Sequence, residues 1–122
     1  MIKLTFCLIR LPHLSREDFQ KYWLENHALL VASVKDALRI RRYVQSHSLP
    51  PETEADLRAS RGGPPGYDGV AELWWDSLDD MAITANDPAA REAGRRLLED
   101  ERKFIDLPKS PLWWSVEHQI IG

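Results

Sequence analysis

The chain has 122 residues, which suits one domain with a single hydrophobic core and is too short for two independent domains. Hydrophobic residues make up 43% and charged residues 29%, as in ordinary globular proteins, so disorder of the whole chain is excluded. The net charge of -3 and the lack of a broad Lys/Arg stripe argue against a nucleic-acid partner. A single cysteine, Cys7, excludes an intramolecular disulfide and fits a reducing compartment. No apolar run is long enough for a signal peptide or a membrane span, so we expect a soluble, cytoplasmic protein.

The first half of the chain predicts a strand, a helix and a second strand. Residues 2 to 10 alternate between two faces and are rich in β-forming side chains. Ser15 is a suitable N-cap, so a helix is predicted from there to about residue 34. Residues 40 to 49 alternate again and predict the second strand.

One face of the predicted first helix combines aromatic side chains with an ionisable one. Phe19, Trp23, His27 and Leu30 fall at spacings that place them on the same side of an α-helix. The imidazole is therefore expected to point where the aromatic rings point.

The second half begins with a Pro/Gly-rich excursion over about residues 50 to 68, which we expect to close over a binding site. A third strand is predicted over residues 68 to 76. Two helical segments follow, with N-caps at Ser77 and Asp87 and an inner line of small and apolar residues on the second. Charged residues of that second segment, Glu101 among them, are predicted to form a solvated outer face. The last strand is predicted over residues 112 to 121.

The resulting order is β-α-β-β-α-β, which predicts a ferredoxin-like α+β fold in one domain spanning residues 1 to 122. Such a fold has a four-stranded antiparallel sheet with two helices on one face. The other face is expected to carry too much apolar surface to be left in water, so a homodimer through the sheet face is predicted.

Two segments carry a specific pattern: Tyr22-Trp23-x-x-x-His27 on the first helix and Arg42-Tyr43-Val44-Gln45-x-His47 on the second strand. In these segments the chain resembles the EthD family of the dimeric α+β barrel superfamily. Leu29 departs from the family, which often has proline at this position, so the helix is expected to continue more regularly here. Similarity extends over nearly the whole chain, through Ile2-Lys3-Leu4-Thr5, Tyr67-Asp68-Gly69-Val70-Ala71-Glu72-Leu73-Trp74, Asp100-Glu101-x-x-Phe104-Ile105-Asp106 and Glu117-His118.

The resemblance implies two sheets packed back to back in a dimer, with a cavity between the sheet and the helices of each subunit. It implies less about chemistry, because the superfamily includes polyketide cyclases, monooxygenases, isomerases, lyases and haem-handling proteins, and a shared fold does not transfer an activity.

The predicted catalytic residues are His27, Tyr43 and His47. Histidine exchanges protons near neutral pH, so His27 is the expected general acid or base; a buried structural histidine is the alternative. Tyr43 and His47 share a face of the second strand and could orient a substrate oxygen. If the opposite face lines the pocket, Arg42, Val44 and Ser46 take their place.

The predicted substrate pocket is built from aromatic side chains and one carboxylate. Glu72 is expected beside tryptophans, where it could act as a base or pair with an arginine. No cofactor is expected, since the sequence has neither a metal-binding motif nor a Gly-rich phosphate loop. The predicted pocket residues are Phe6, Tyr22, Trp23, Glu72 and Trp74.

These features favour a cofactor-independent lyase, dehydratase, cyclase or isomerase acting on an apolar aromatic or polyketide-like molecule by His-mediated proton transfer. One alternative is a non-catalytic dimeric module that binds a small ligand or supports an oxygenase system. A haem-linked, monooxygenase-like activity with a single histidine ligand is a further alternative.

Overall fold

A computed structural model describes residues 1–122. It contains one four-stranded antiparallel sheet in the order β2-β3-β1-β4, which confirms the predicted ferredoxin-like α+β fold. No helix combines the length and the apolar character needed to cross a bilayer. The elements are β1 (Ile2–Leu8), α1 (Arg16–Tyr22), a π-helical turn (Trp23–His27), α2 (Ala28–Ser33), β2 (Arg42–His47), α3 (Ala55–Ala59), β3 (Gly69–Trp75), α4 (Leu78–Ala85), α5 (Pro88–Glu101) and β4 (Leu112–Ser115), with short 3-10 segments at Pro51–Glu54 and Leu107–Lys109.

The first helix is continuous through α1, the π-helical turn and α2. Four buried residues, Phe19, Trp23, His27 and Val31, recur at intervals of four residues. An ideal α-helix has about 3.6 residues per turn, so this spacing would drift around the helix axis. The wider π turn, in which the Ala28 N–H bonds to the Trp23 carbonyl, keeps the four side chains on one face. The fourth buried residue of this face is therefore Val31 and not the predicted Leu30. The helix continues past Leu29, as predicted.

The two faces of the sheet differ in composition, and one of them packs on the main core. Alternate residues of β1 and β3, including Phe6, Leu8 and Ala71, pack against Phe19, Trp23, Phe104 and Ile105 in the main core. The opposite face is not the apolar surface that the sequence predicted, because charged and hydroxyl side chains are interleaved with the apolar ones. Its residues are Lys3, Thr5, Cys7, Arg42, Val44, Ser46, Val70, Glu72, Trp74, Trp113 and Ser115.

Side-chain caps mark the start of two helices, and strand pairing sets the end of the last strand. Ser15 caps α1 by accepting from Asp18 N at 3.0 Å, and Asp87 caps α5 by accepting from Ala90 N at 3.3 Å, as predicted. Ser77 occupies the predicted N-cap position of α4, but its side chain makes no capping hydrogen bond. The last strand ends at Ser115, six residues earlier than predicted, because its pairing with β1 stops at Lys3.

Trp23 lies at the centre of the core and is only 1% exposed. Its ring packs directly on Gly69, where an added Cβ would lie 2.4 Å from Trp23 Cζ3 and 3.0 Å from the Ser46 carbonyl oxygen. Glycine at this position is required by the close approach of the indole to the sheet.

We therefore expect Gly69→Ala to lower the free energy of unfolding by about 2 to 3 kcal/mol, because the buried indole must move. Chemical denaturation of the purified variant measures this change. Gly94→Ala is the matched control: nothing lies within 4 Å of an added Cβ there, so it should stabilise α5 by about 0.5 to 1 kcal/mol. Equal effects at the two glycines would contradict the steric explanation.

Candidate active site

A buried carboxylate joins the first helix to α5. Asp100 Oδ2 lies 2.7 Å from His27 Nδ1, and Asp100 Oδ1 accepts a 2.5 Å hydrogen bond from the Tyr22 hydroxyl. His27 is 5% exposed and Asp100 is 9% exposed. Phe104 packs on the imidazole with a ring separation of 5.1 Å, so the pair is shielded on one side by an aromatic ring.

The charge state of this pair follows from its surroundings. Burial lowers the pKa of His27 despite the opposing hydrogen bond and charge of Asp100, so the imidazole is neutral at neutral pH. Burial alone would raise the pKa of Asp100, but hydrogen bonds from Tyr22 and His27 outweigh it and the net shift is downward. An ionised Asp100 can only accept, so Nδ1 of His27 carries the proton and Nε2 has a free lone pair.

An apolar cavity of about 150 Å³ lies between the sheet and the helices. Its volume is close to that of an engineered protein cavity that admits benzene, so a single aromatic ring fits. A porphyrin is far larger, so the cavity does not fit a haem. The lining residues are Leu4, Phe6, Leu8, Trp23, His27, Val31, Leu38, Ile40, Tyr43, Ala71, Leu73, Trp75, Leu97, Glu101, Ile105 and Leu112.

A hydrogen-bonded chain on β2 orients the hydroxyl of Tyr43. Gln45 Nε2 lies 3.0 Å from the Trp23 carbonyl oxygen, which can only accept, so this amide atom must be the nitrogen. Gln45 Nε2 also donates to the Tyr43 hydroxyl oxygen at 2.7 Å, and Gln45 Oε1 accepts from His47 Nε2 at 2.7 Å. Tyr43 is thus an acceptor towards Gln45, and its own O–H proton remains available to the cavity.

Glu101 is a second acidic residue of the cavity wall. Its carboxylate makes no hydrogen bond or ion pair within the protein. Among the side-chain nitrogen and oxygen atoms that are fully shielded from solvent, only Nη1 of Arg16 has no hydrogen-bond partner. The oxygens of Glu101 and Nε2 of His27 also have no partner, so they are not fully shielded and have open space beside them. Burial, together with the charge of Asp100, raises the pKa of Glu101 to about 7. The prediction that Glu101 belongs to a solvated face is wrong.

The structure brings four of the sequence-predicted site residues to the cavity: Phe6, Trp23, His27 and Tyr43. Tyr22 does not line the cavity, and its hydroxyl donates to Asp100. Burial, together with this hydrogen bond and the charge of Asp100, raises the pKa of Tyr22 to about 12. His47 does not line the cavity. Its ring stacks on Trp23 at 4.4 Å and its Nε2 bonds to Gln45.

Glu72 and Trp74 do not line this cavity, and their predicted place in the pocket is corrected. Both alternate with Ala71, Leu73 and Trp75 along β3 and therefore project from the opposite face of the sheet. There Glu72 forms a 2.7 Å ion pair with Lys3, and the Trp74 indole N–H donates a hydrogen bond to Glu117.

The excursion at about residues 50 to 68 does not close over the apolar cavity. Its residues instead line a separate polar cleft with Arg10, Arg16 and Glu17. No group of three or more His, Cys, Asp and Glu side chains is arranged to hold a metal ion.

Sequence reasoning missed Asp100, Glu101 and Gln45 as site residues. The signal for Asp100 was present, since it falls after Leu97 on the inner side of α5 and before the buried Phe104, where an ionisable residue needs a partner. Glu101 lies four residues after Leu97 and shares that side of the helix. Gln45 alternates in phase with Tyr43 on β2, but its bond to the Trp23 carbonyl is a tertiary contact that spacing does not reveal.

Comparison with known proteins identifies the relatives of this architecture. The family model described as EthD domain matches residues 11–108. A search of curated proteins gave no match. Among solved structures, an EthD family protein from Bacillus halodurans is 15% identical with a TM-score of 0.61, covering 97% of this chain and all of that one. Passiflora edulis hydroxynitrile lyase is 12% identical with a TM-score of 0.60, covering 99% of this chain and 96% of that one.

A dimeric ferredoxin-like protein from Thermobifida fusca is also similar, at 11% identity with a TM-score of 0.58. The alignment covers 95% of this chain and 90% of that one. At these identities the three structures support the fold and leave the chemistry to be argued from the site itself.

Because its pKa is raised in the folded state, Glu101 stabilises the fold below about pH 4.5, and this contribution is lost as the pH rises through about 7. We expect Glu101→Gln to be more stable than the parent by about 2 to 3 kcal/mol near pH 8, and the difference to shrink towards pH 5. Denaturant unfolding across this range measures it. Glu99→Gln, which also removes a carboxylate from α5 but on its exposed side, is the matched control. A difference that does not vary with pH for Glu101→Gln would contradict the buried, shifted carboxyl.

Proposed function

This chain belongs to the EthD family, and on that premise we propose that it is a cofactor-independent enzyme that transfers protons on a small apolar molecule. The family assignment confirms the resemblance drawn from the sequence. The observation that carries the proposal is the neutral, buried His27, which has its Nδ1–H fixed by Asp100 and its Nε2 free beside an apolar cavity.

In this proposal His27 is the general base. Asp100 selects the tautomer and stabilises the imidazolium that forms when Nε2 takes a proton, the role that a carboxylate has towards histidine in many active sites. The lowered pKa keeps His27 unprotonated, and therefore able to accept a proton, at neutral pH. Apolar walls exclude water and strengthen these interactions.

Tyr43 is assigned the role of hydrogen-bond donor to a substrate oxygen. Gln45 and His47 are positioning residues, because they act on the substrate only through the Tyr43 hydroxyl. The proposed step removes a proton from a carbon next to a carbonyl group. The C–H electron pair forms a C=C bond, the carbonyl π pair moves to oxygen, and the developing charge is stabilised by the Tyr43 O–H.

The substrate class follows from the size and lining of the cavity. About 150 Å³ with nearly continuous apolar walls suits one aromatic or alicyclic ring rather than a multi-ring polyketide. Return of the proton to a different carbon completes an isomerisation, and loss of a leaving group completes a lyase reaction.

We expect the protein to catalyse deuterium exchange into single-ring ketones in D2O, followed by the loss of their C–H proton NMR signals. His27→Ala should reduce the exchange rate by at least about 100-fold, because a general base contributes about that much. His118→Ala, near the exposed end of the chain, is the matched control.

The melting transition of the His27→Ala variant decides between catalysis and structure. A variant that remains folded and loses exchange supports the proposed base, whereas an unfolded variant supports a structural histidine. Saturable binding of ketones without exchange by the parent protein would support the non-catalytic ligand-binding alternative instead.

The opposite face of the sheet is proposed to be the interface of a homodimer. This face presents Val44 and the half-exposed Trp113 next to the Lys3–Glu72 ion pair, a mixture typical of subunit contacts. The Thermobifida fusca protein of the same fold is dimeric, which supports a homodimer here as well.

A wild-type sample should therefore sediment with the mass of two chains. Val44→Glu places a second carboxylate beside Glu72, its register neighbour, and should give a monomer because like charges would be buried together. Leu98→Glu changes an exposed residue of α5 in the same way and should remain dimeric. A dimer that survives Val44→Glu would place the interface elsewhere.

A further inference from the structure

The cavity has two groups whose hydrogen-bonding capacity is not used by the protein. The Tyr43 hydroxyl oxygen accepts from Gln45, which leaves its proton free. The Glu101 carboxyl has no partner in the protein, although it lies in a wall that is otherwise mostly apolar. An unused donor and an unused acceptor in an apolar site indicate a ligand that supplies both partners.

Tyr43 and Glu101 line the same cavity. Because its volume is only about 150 Å³, a ligand of one ring can contact both side chains. The other ionisable groups that face Glu101 are Asp100 on its own helix and His27 on the first helix.

We propose that Glu101 is a second catalytic residue, and that with Tyr43 it binds the hydroxyl group of an enol or phenol formed on a single-ring substrate. The hydroxyl oxygen accepts a hydrogen bond from the Tyr43 O–H and its proton is shared with the Glu101 carboxyl. This proposal rests on the proposed function, because it takes the cavity as the substrate site.

The corresponding step is a balanced enolisation. His27 Nε2 takes the proton from the carbon next to the carbonyl, and the C–H electron pair becomes the C=C bond of the enol. The carbonyl π pair forms a new O–H bond with the proton of the Glu101 carboxylic acid. His27 ends protonated and Glu101 ends ionised, so the reverse transfers restore both groups.

Other ligand classes match these two groups less well. A carboxylate ligand would meet the charge of Glu101 without a cation to offset it. An ammonium group has no lone pair for the Tyr43 proton, and an ether has no proton for Glu101. A hydroxyl group satisfies both residues.

Phenol and toluene are suitable probes because they have similar ring size and only phenol carries the hydroxyl of an enol. Ligand-observed NMR titration measures the affinity of each. Tyr43→Phe and Glu101→Gln should each weaken phenol binding about tenfold near pH 8 and leave toluene unchanged. Glu99→Gln is the control for the loss of a carboxylate from α5 and should alter neither affinity.

The pH dependence gives a second readout that a structural role would not change. A carboxylate accepts a stronger hydrogen bond than a carboxylic acid, so phenol affinity of the wild type should rise several-fold between about pH 5.5 and about pH 8.5. Toluene affinity should stay level, and Glu101→Gln should abolish the rise for phenol.

The outcomes separate this inference from the proposed function. If toluene and phenol both bind but neither variant affects phenol selectively, or the rise persists in Glu101→Gln, the role of Glu101 is overturned while the cavity remains a ligand site. If neither probe binds the wild-type protein, both proposals are overturned.

Discussion

The buried carboxylate of Asp100 is the constraint on which the arrangement of the helices depends. A charge removed from water must be compensated by hydrogen bonds, and here both Tyr22 and His27 supply one. In a regular α-helix, side chains five residues apart point about 140° away from each other. The π turn between Tyr22 and His27 reduces this divergence, so that both reach one carboxylate on α5. The same distortion keeps Trp23 against Gly69 and turns the imidazole towards the cavity.

The order of the elements, the antiparallel sheet and the face of the first helix could be predicted, because each follows from local periodicity. Leu30 was predicted as the fourth buried residue of that face, whereas the buried residue is Val31. The prediction assumed a repeat of 3.6 residues, which does not reveal a π turn. The last strand was predicted too long because alternation continues in the sequence after the partner strand has ended. The second sheet face was predicted as apolar, whereas Lys3, Arg42 and Glu72 interrupt it.

The site was predicted in part, and the errors share one cause. His27 and Tyr43 were found because an ionisable or phenolic side chain lay on a face with aromatic neighbours. For β3 the same argument was not tied to a face of the sheet, so Glu72 and Trp74 were assigned to a cavity that lies behind their strand. Glu101 was treated as one of many surface charges on α5, although the cavity extends further around that helix than its inner line indicates.

The connection from His47 through Gln45 to Tyr43 has a consequence for how the cavity responds to acid. The Trp23 carbonyl prevents the Gln45 amide from turning over, so His47 must present an N–H at Nε2. That N–H is present both in this neutral tautomer and in the imidazolium, so gaining a proton at Nδ1 does not reverse the chain. The direction in which the phenol offers its hydrogen is thus fixed by an amide that does not titrate, even though the chain begins at a histidine.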